Sequence, residues 1–227
     1  MMRQCIFGAW NQTDVTKTLL QGLQHLEAEK GDFKEVGIAT LMEGRIQSQN
    51  APSLQDLQNQ LQTQPLSGHF GIAYTCLKNP FEVEKYDATY LCANERVAIV
   101  YNGFIDNFPE IWKEWLELGY PFKNQTDGEI VLRLLNRYSE RDGISPLKAL
   151  TLTIARLQGD FSVIALFAEE DLLMVARQGC QLAIGVDEGV TYFSSDTQVL
   201  TQLSRRVIQL EEGKPTVLQS VKGRIVN

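Results

Sequence analysis

The chain opens MMRQCIFGAW (residues 1–10), and the reading of QCIFGAW (4–10) decides the rest. The segment is apolar and β-rich, with Gly8 in its middle, so it reads as a short buried strand. It carries Cys5 at its start. A thiol there is either a nucleophile or a small buried hydrophobe, the commoner fate of a free cysteine.

Outward from this strand the segments come in blocks. TDVTKTLLQGLQHLEAEK (13–30) has Leu19, Leu20, Leu23 and Leu26 at helical spacing, with Thr13 or Asp14 as cap. EVGIATLMEGRIQSQ (35–49) reads as two strands joined at Glu43-Gly44, and SLQDLQNQLQTQP (53–65) as a polar helix with Leu54, Leu57 and Leu61 on one face. GHFGIAYTCL (68–77) is a further strand, and ATYLCANERVAIVYNG (88–103) two strands about Asn94-Glu95. Three helices follow: NFPEIWKEWLELG (107–119), TDGEIVLRLLNRYSER (126–141) with capping-box spacing from Thr126 to Glu129, and SPLKALTLTIARLQG (145–159) behind the cap Ser145. DFSVIALFAEEDLLMVARQG (160–179) is a hairpin. Short strands at LAIGV, GVTYFSS, RRVIQLEEG and TVLQSV, and a short helix at DTQVLTQL, complete the chain. Such blocks, without strict βαβ alternation, predict an α+β fold with largely antiparallel sheets. No repeat or linker divides residues 1–227, so a single domain is expected.

Composition narrows the function. The net charge of −7 and the absence of a basic stripe argue against nucleic acid and against anionic membranes. No apolar run is long enough to span a bilayer and no signal-peptide pattern opens the chain, so a cytoplasmic location is expected. Cys5, Cys76, Cys92 and Cys180 lie without metal or disulfide spacing, and His25 and His69 are the only histidines. No metal site and no cofactor are expected.

Nine phrases then fall in order: CIFG (5–8), LLQGLQHLE (19–27), GIAYT (71–75), VYNGFIDN (100–107), GYPFKNQTDGEIVLRLL (119–135), LQGDFSVIAL (157–166), ARQGCQLAIG (176–185), YFSSD (192–196) and RRVIQLEEG (205–213). Together they resemble class II glutamine amidotransferases, and most of all the glutaminase domain of glucosamine-6-phosphate synthase. The resemblance implies an N-terminal-nucleophile hydrolase fold, an αββα sandwich. It implies hydrolysis of the glutamine side-chain amide: an N-terminal cysteine attacks, its free α-amine takes the proton, and fixed donors hold the oxyanion. Implied partners are glutamine or a related small molecule, and a synthase subunit accepting the ammonia. In that family a sugar isomerase domain uses the ammonia; it is not expected within these 227 residues, so complete glucosamine-6-phosphate synthesis is not expected of this chain.

Residue by residue, the resemblance places the oxyanion donors at Asn102-Gly103, which by local sequence alone would be a turn. Tyr101 stands where the family usually has His. Asp127 falls on the acid that faces the substrate ammonium, although it also opens a helix, and Gly128 replaces a Thr beside it. Cys76 falls where the family's carboxylate-binding Arg stands and Leu77 where its Trp stands. A cysteine cannot form a bidentate clamp, and the nearby Lys78 is a point charge on a different face. Matching IFG to IFG puts Gln4 on the family's nucleophile and Cys5 on the glycine that follows it. Matching cysteine to cysteine instead slips the strand by one and turns every later side chain over. Unless residues 1–4 are removed, Cys5 also lacks a free amine. The expectation is therefore a domain that keeps the fold with glutaminase activity lost or impaired, Cys5 being catalytic only if processed.

Overall fold

The computed structural model describes residues 4–77, 91–119, 126–140, 143–219 and 224–226. In chain order the elements are β1 (Gln4–Asn11), α1 (Val15–Lys30), β2 (Phe33–Met42), β3 (Arg45–Ala51), α2 (Leu54–Thr63), β4 (Phe70–Leu77), β5 (Leu91–Ala93) and β6 (Val97–Gly103). Then come α3 (Phe108–Glu117), α4 (Asp127–Ser139), α5 (Pro146–Arg156), β7 (Phe161–Phe167), β8 (Leu172–Gln178), β9 (Ala183–Asp187), β10 (Val190–Ser194), α6 (Thr197–Leu203), β11 (Arg206–Gln209), β12 (Thr216–Gln219) and β13 (Arg224–Val226). The expected elements are present. β11 is shorter than RRVIQLEEG suggests, because residues 212–213 form a turn and Leu210 leaves the ladder to bond Leu182. β13 was not foreseen.

The strands form a seven-stranded sheet in the order β11-β9-β10-β1-β4-β2-β3 and a six-stranded sheet in the order β13-β12-β8-β7-β6-β5. Every pairing is antiparallel. α1, α2 and α6 cover the outside of the first sheet, and α3, α4 and α5 the outside of the second. The result is four layers, α-β-β-α, with three apolar clusters: one under each helical layer and one between the sheets.

β1 shows how alternation sorts side chains between these clusters. Cys5, Phe7 and Ala9 join the cluster under α1, with Leu19, Leu23 and Leu26. Ile6 and Trp10 join the cluster between the sheets, with Ile72, Val100 and Ile164. Gly8 does not interrupt the ladder; it pairs with Ile72 and Phe193. A Cβ at Gly8 would lie 3.0 Å from Ile164 Cγ2, so the glycine is what lets the sheets approach there. Asp14, Ser53, Thr126, Ser145 and Asp196 cap their helices by accepting from backbone N–H groups in the first turn.

Candidate active site

The even-numbered face of β1 looks at the second sheet, so Gln4 lies on the inter-sheet side at the strand's start. Its ladder partner on β4 is Cys76, which is buried, and Cys76 is in turn opposite Glu35 on β2. By the same alternation Cys76 shares a face with Ile72 and Tyr74, both in the inter-sheet cluster. Glu35 accepts a hydrogen bond from Tyr74 Oη. The first sheet therefore ends in a row Gln4, Cys76, Glu35.

The second sheet supplies a matching row. Asn102 follows Val100 on the inter-sheet face of β6, pairs with Ser162 on β7, and Ser162 pairs with Arg177 on β8. β1 and β4 pack over β6 and β7. Asn102 is 3 % exposed and Ser162 is fully buried, its hydroxyl without a hydrogen-bond partner among the described residues. The Arg177 guanidinium is spent on structure: Nε donates to Leu210 O at 2.7 Å and Nη1 to Cys180 O at 3.1 Å.

Asn102-Gly103 is not a hairpin turn. Both residues are still paired at the end of β6, with Ser162 and Phe161. Gly103 has φ +118°, and a Cβ there would sit 2.1 Å from Asp160 O. Phe104 N–H donates to Asp160 O at 2.9 Å and Asp106 N–H to Gln158 O at 2.7 Å, so the loop after β6 is stitched to the loop before β7. Gly159 meets Phe104 O in the same way from the other side. The backbone beyond Asn102 is thus held in one conformation that only glycine permits.

Asp127 opens α4 and reaches into this loop. Its Oδ2 accepts from Ile105 N–H at 2.9 Å and from Tyr101 Oη at 3.4 Å. Burial raises its carboxyl pKa above the ordinary value, while the Ile105 and Tyr101 donors pull it back down. Tyr101 points to the opposite face from Asn102, into the cluster under α4, and burial foremost raises its phenol pKa as well. Asn102, Gly103, Tyr101 and Asp127 therefore form one connected unit.

Cys5 lies on the other side of its sheet. Its side chain is 7 % exposed in the cluster under α1, and burial, then the nearby Asp196 carboxylate, push its thiol up to about 11. Asp196 is bound to Lys30, Nζ to Oδ2 at 2.7 Å. The strand around Cys5 is pinned: Ile6 N–H donates to Ser195 Oγ at 3.1 Å and Ser195 N–H to Ile6 O at 3.1 Å. Leu77 packs against the cluster under α1 and α2. Lys78 and residues 1–3 lie outside the described residues.

Residues 84–202 match the glutamine amidotransferase domain family. The chain belongs to this family. It is 36% identical over 216 residues to the glutamine–fructose-6-phosphate aminotransferase (isomerizing) of Bartonella henselae and 37% identical over 215 residues to that of Bradyrhizobium diazoefficiens. Each alignment covers 94% of this chain and 35% of the relative, so the chain spans about a third of those proteins. Among solved structures, the glutamine phosphoribosylpyrophosphate amidotransferase from B. subtilis superposes with a TM-score of 0.78 at 15% identity, covering 98% of this chain and 49% of that one. A glutamine aminotransferase class-II domain protein from Silicibacter pomeroyi gives 0.61 at 14% identity, covering 98% and 99%. The four layers are those of the N-terminal-nucleophile hydrolase fold.

Within this amidotransferase domain burial also raises the Cys180 thiol and pushes Cys92 up to about 12, which favours the protonated form of each. Among the described residues no group of three or more His, Cys, Asp or Glu could hold a metal, and no helix is long and apolar enough to cross a membrane. Glu35, Ser162 and Ser195 escaped the sequence reading. The available signal was a lone polar residue at the end of an apolar run, as in DFSVIAL, which flags a site only when a facing strand supplies another.

Proposed function

We propose that this chain is a class II glutamine amidotransferase-like domain whose glutaminase chemistry is lost or impaired, and whose role is binding, regulatory or structural. The observation that carries this reading is the alternation of β1. Gln4 takes the face that looks at Asn102, and Cys5 takes the opposite face, under α1. In this register the residue at the nucleophile's place is a carboxamide, which has no lone pair basic enough to attack an amide. At the place of the carboxylate-binding arginine stands Cys76, a buried thiol opposite Gln4 that offers no guanidinium fork to a carboxylate. Asn102, Gly103 and Asp127 are the part of the inherited cleft that persists, suited to a neutral hydrogen-bonding ligand such as glutamine or a related amide.

The rival reading is a glutaminase subunit matured to begin at Cys5 and delivering ammonia to a separate synthase. It would need Cys5 to turn to the inter-sheet face, which reverses the pairing of Cys5 with Thr75 and of every residue to Trp10. Glutamate release separates the two. The full-length chain and a chain made to begin at Cys5 are both expected to be inactive. A chain made to begin at position 4 with Gln4→Cys, combined with Cys76→Arg, is the one expected to gain glutamate release. If the full-length protein hydrolyses glutamine at an ordinary rate and Cys5→Ala abolishes it, the proposal is wrong. Activity only in the chain beginning at Cys5 establishes the rival.

A further inference from the structure

β3 is the last strand of the seven-stranded sheet, and among the described residues no strand pairs with its outer edge. It pairs with β2 over its whole length, from Met42↔Arg45 to Val36↔Ala51, with no break in register. Among the described residues no backbone hydrogen bond leaves its free side. Among the described residues it is also the longest edge: β3 has 7 residues, against 4 in β11, 3 in β5 and 3 in β13. Arg45, Gln47, Ser48 and Asn50 are exposed along it.

Exposed edges are normally guarded by lysines, prolines, bulges or inward-pointing charges. β3 has none of these between Ile46 and Ala51. The lack of charge extends through the helix beside it. Between Ile46 and Ser67 the only charged residue is Asp56, in a chain that is 22% charged overall and carries a net −7. Two copies of such an acidic protein repel one another. That repulsion is weakest where the surface is uncharged, and here the uncharged surface coincides with an open strand edge.

From this we infer that β3 is a self-pairing edge, joining two copies of the chain about a two-fold axis at Ser48. An antiparallel pair centred on Ser48 sets Gln47 against the partner copy's position 49 and Arg45 against its position 51. Arg45, Gln47, Gln49 and Ala51 share the outer face of the sheet, because their β2 partners include Val36 and Ile38 of the cluster under α1 and α2. Arg45 therefore arrives on the side where the partner chain turns from position 51 into its copy of α2. The first turn of that helix carries Asp56, which is exposed. The one cation at the start of the strand meets the one anion just past its end, twice over by symmetry.

Sedimentation equilibrium on the full chain tests this with three variants. Ser48→Lys sets two ammonium groups against each other on the axis, and Arg45→Asp opposes Asp56. The double variant Arg45→Asp with Asp56→Arg restores the match with the signs exchanged. All changed positions are exposed, and circular dichroism confirms that each monomer is folded. The wild type is expected to dimerise. Each single variant is expected to weaken dimerisation on the order of tenfold, as like charges directly opposed in a sheet do. The double variant should recover most of it. A wild type that stays monomeric at every concentration overturns the inference. So does a dimer indifferent to Ser48→Lys, which would place the contact on another face, or a double variant no better than Arg45→Asp.

Discussion

The two sheets bring polar rows to the same end of the sandwich and hold them by different means. In the six-stranded sheet the row is locked by backbone: Gly103 at φ +118°, the stitched loops 103–106 and 158–160, and Asp127 bonded to Ile105 N–H. In the seven-stranded sheet Gln4, Cys76 and Glu35 sit on strand ladders whose pairing takes no account of side-chain identity. A backbone lock resists substitution, because changing one residue strains the rest. A ladder position does not, so a nucleophile or an arginine can be exchanged for Gln4 or Cys76 while the sheet stays paired. This is a physical route by which a fold can persist when, on the proposed reading, the chemistry has gone.

The lock breaks most visibly at Gly103. Gly103→Ala must move Asp160 O, which stands 2.1 Å from the ideal Cβ, and must hold an L-residue at positive φ. Urea unfolding should show a loss on the order of 3–5 kcal/mol, or no folded protein. A loss below about 1 kcal/mol would mean the loops yield easily and the contrast between the sheets is false.

The buried face of β1 gives the next effect. Cys5 has its thiol pKa raised from 9.0 to about 11. Below pH 9 both folded and unfolded chains keep the proton and the group contributes nothing to pH dependence. Between those values the unfolded chain releases its proton and the folded chain retains it, so stability falls as pH rises. The share of Cys5 is about 2–3 kcal/mol across that window. The unfolding free energy at pH 8 and pH 10.5, for wild type and Cys5→Ala, isolates it, since Cys92 titrates equally in both. If the two proteins lose the same stability, Cys5 is solvated, and the assignment of its side chain to the outer cluster fails.

Much of this was legible in the sequence because the signals were local. The helix caps at Asp14, Ser53, Thr126 and Ser145, and the Glu43-Gly44 turn, each announce themselves within a few residues. The strand β1 was legible too, as the apolar run QCIFGAW around Gly8. What could not be read was which strands are neighbours. Gln4 beside Cys76, Asn102 beside Ser162 and Ser195 beside Ile6 are separated by long stretches of chain, and nothing in the local pattern ties them. The Asn102-Gly103 pair misleads for the same reason. As a dipeptide it is a turn, and only its pairing with β7 makes it a strand end.

The smallest effect tests which of its partners Asp127 serves. Asp127→Ala leaves Ile105 N–H, on a residue only 5 % exposed, without its acceptor and should cost about 1–3 kcal/mol. Tyr101→Phe removes only the 3.4 Å contact, which is long for a hydroxyl on a carboxylate, so less than about 1 kcal/mol is expected. The pH dependence sharpens the comparison. Burial raises Asp127, so as pH climbs above the ordinary 3.8 the unfolded chain gives up its proton first and stability falls until the folded carboxyl has titrated as well. The Tyr101 hydroxyl favours the ionised form and limits that fall. Its removal should therefore cost less at pH 4 than at pH 7. Equal costs at both pH values would mean the hydroxyl does not reach the carboxylate in solution. A cost at pH 7 matching that of Asp127→Ala would mean that holding Tyr101, rather than the backbone beyond Asn102, is the chief work of Asp127.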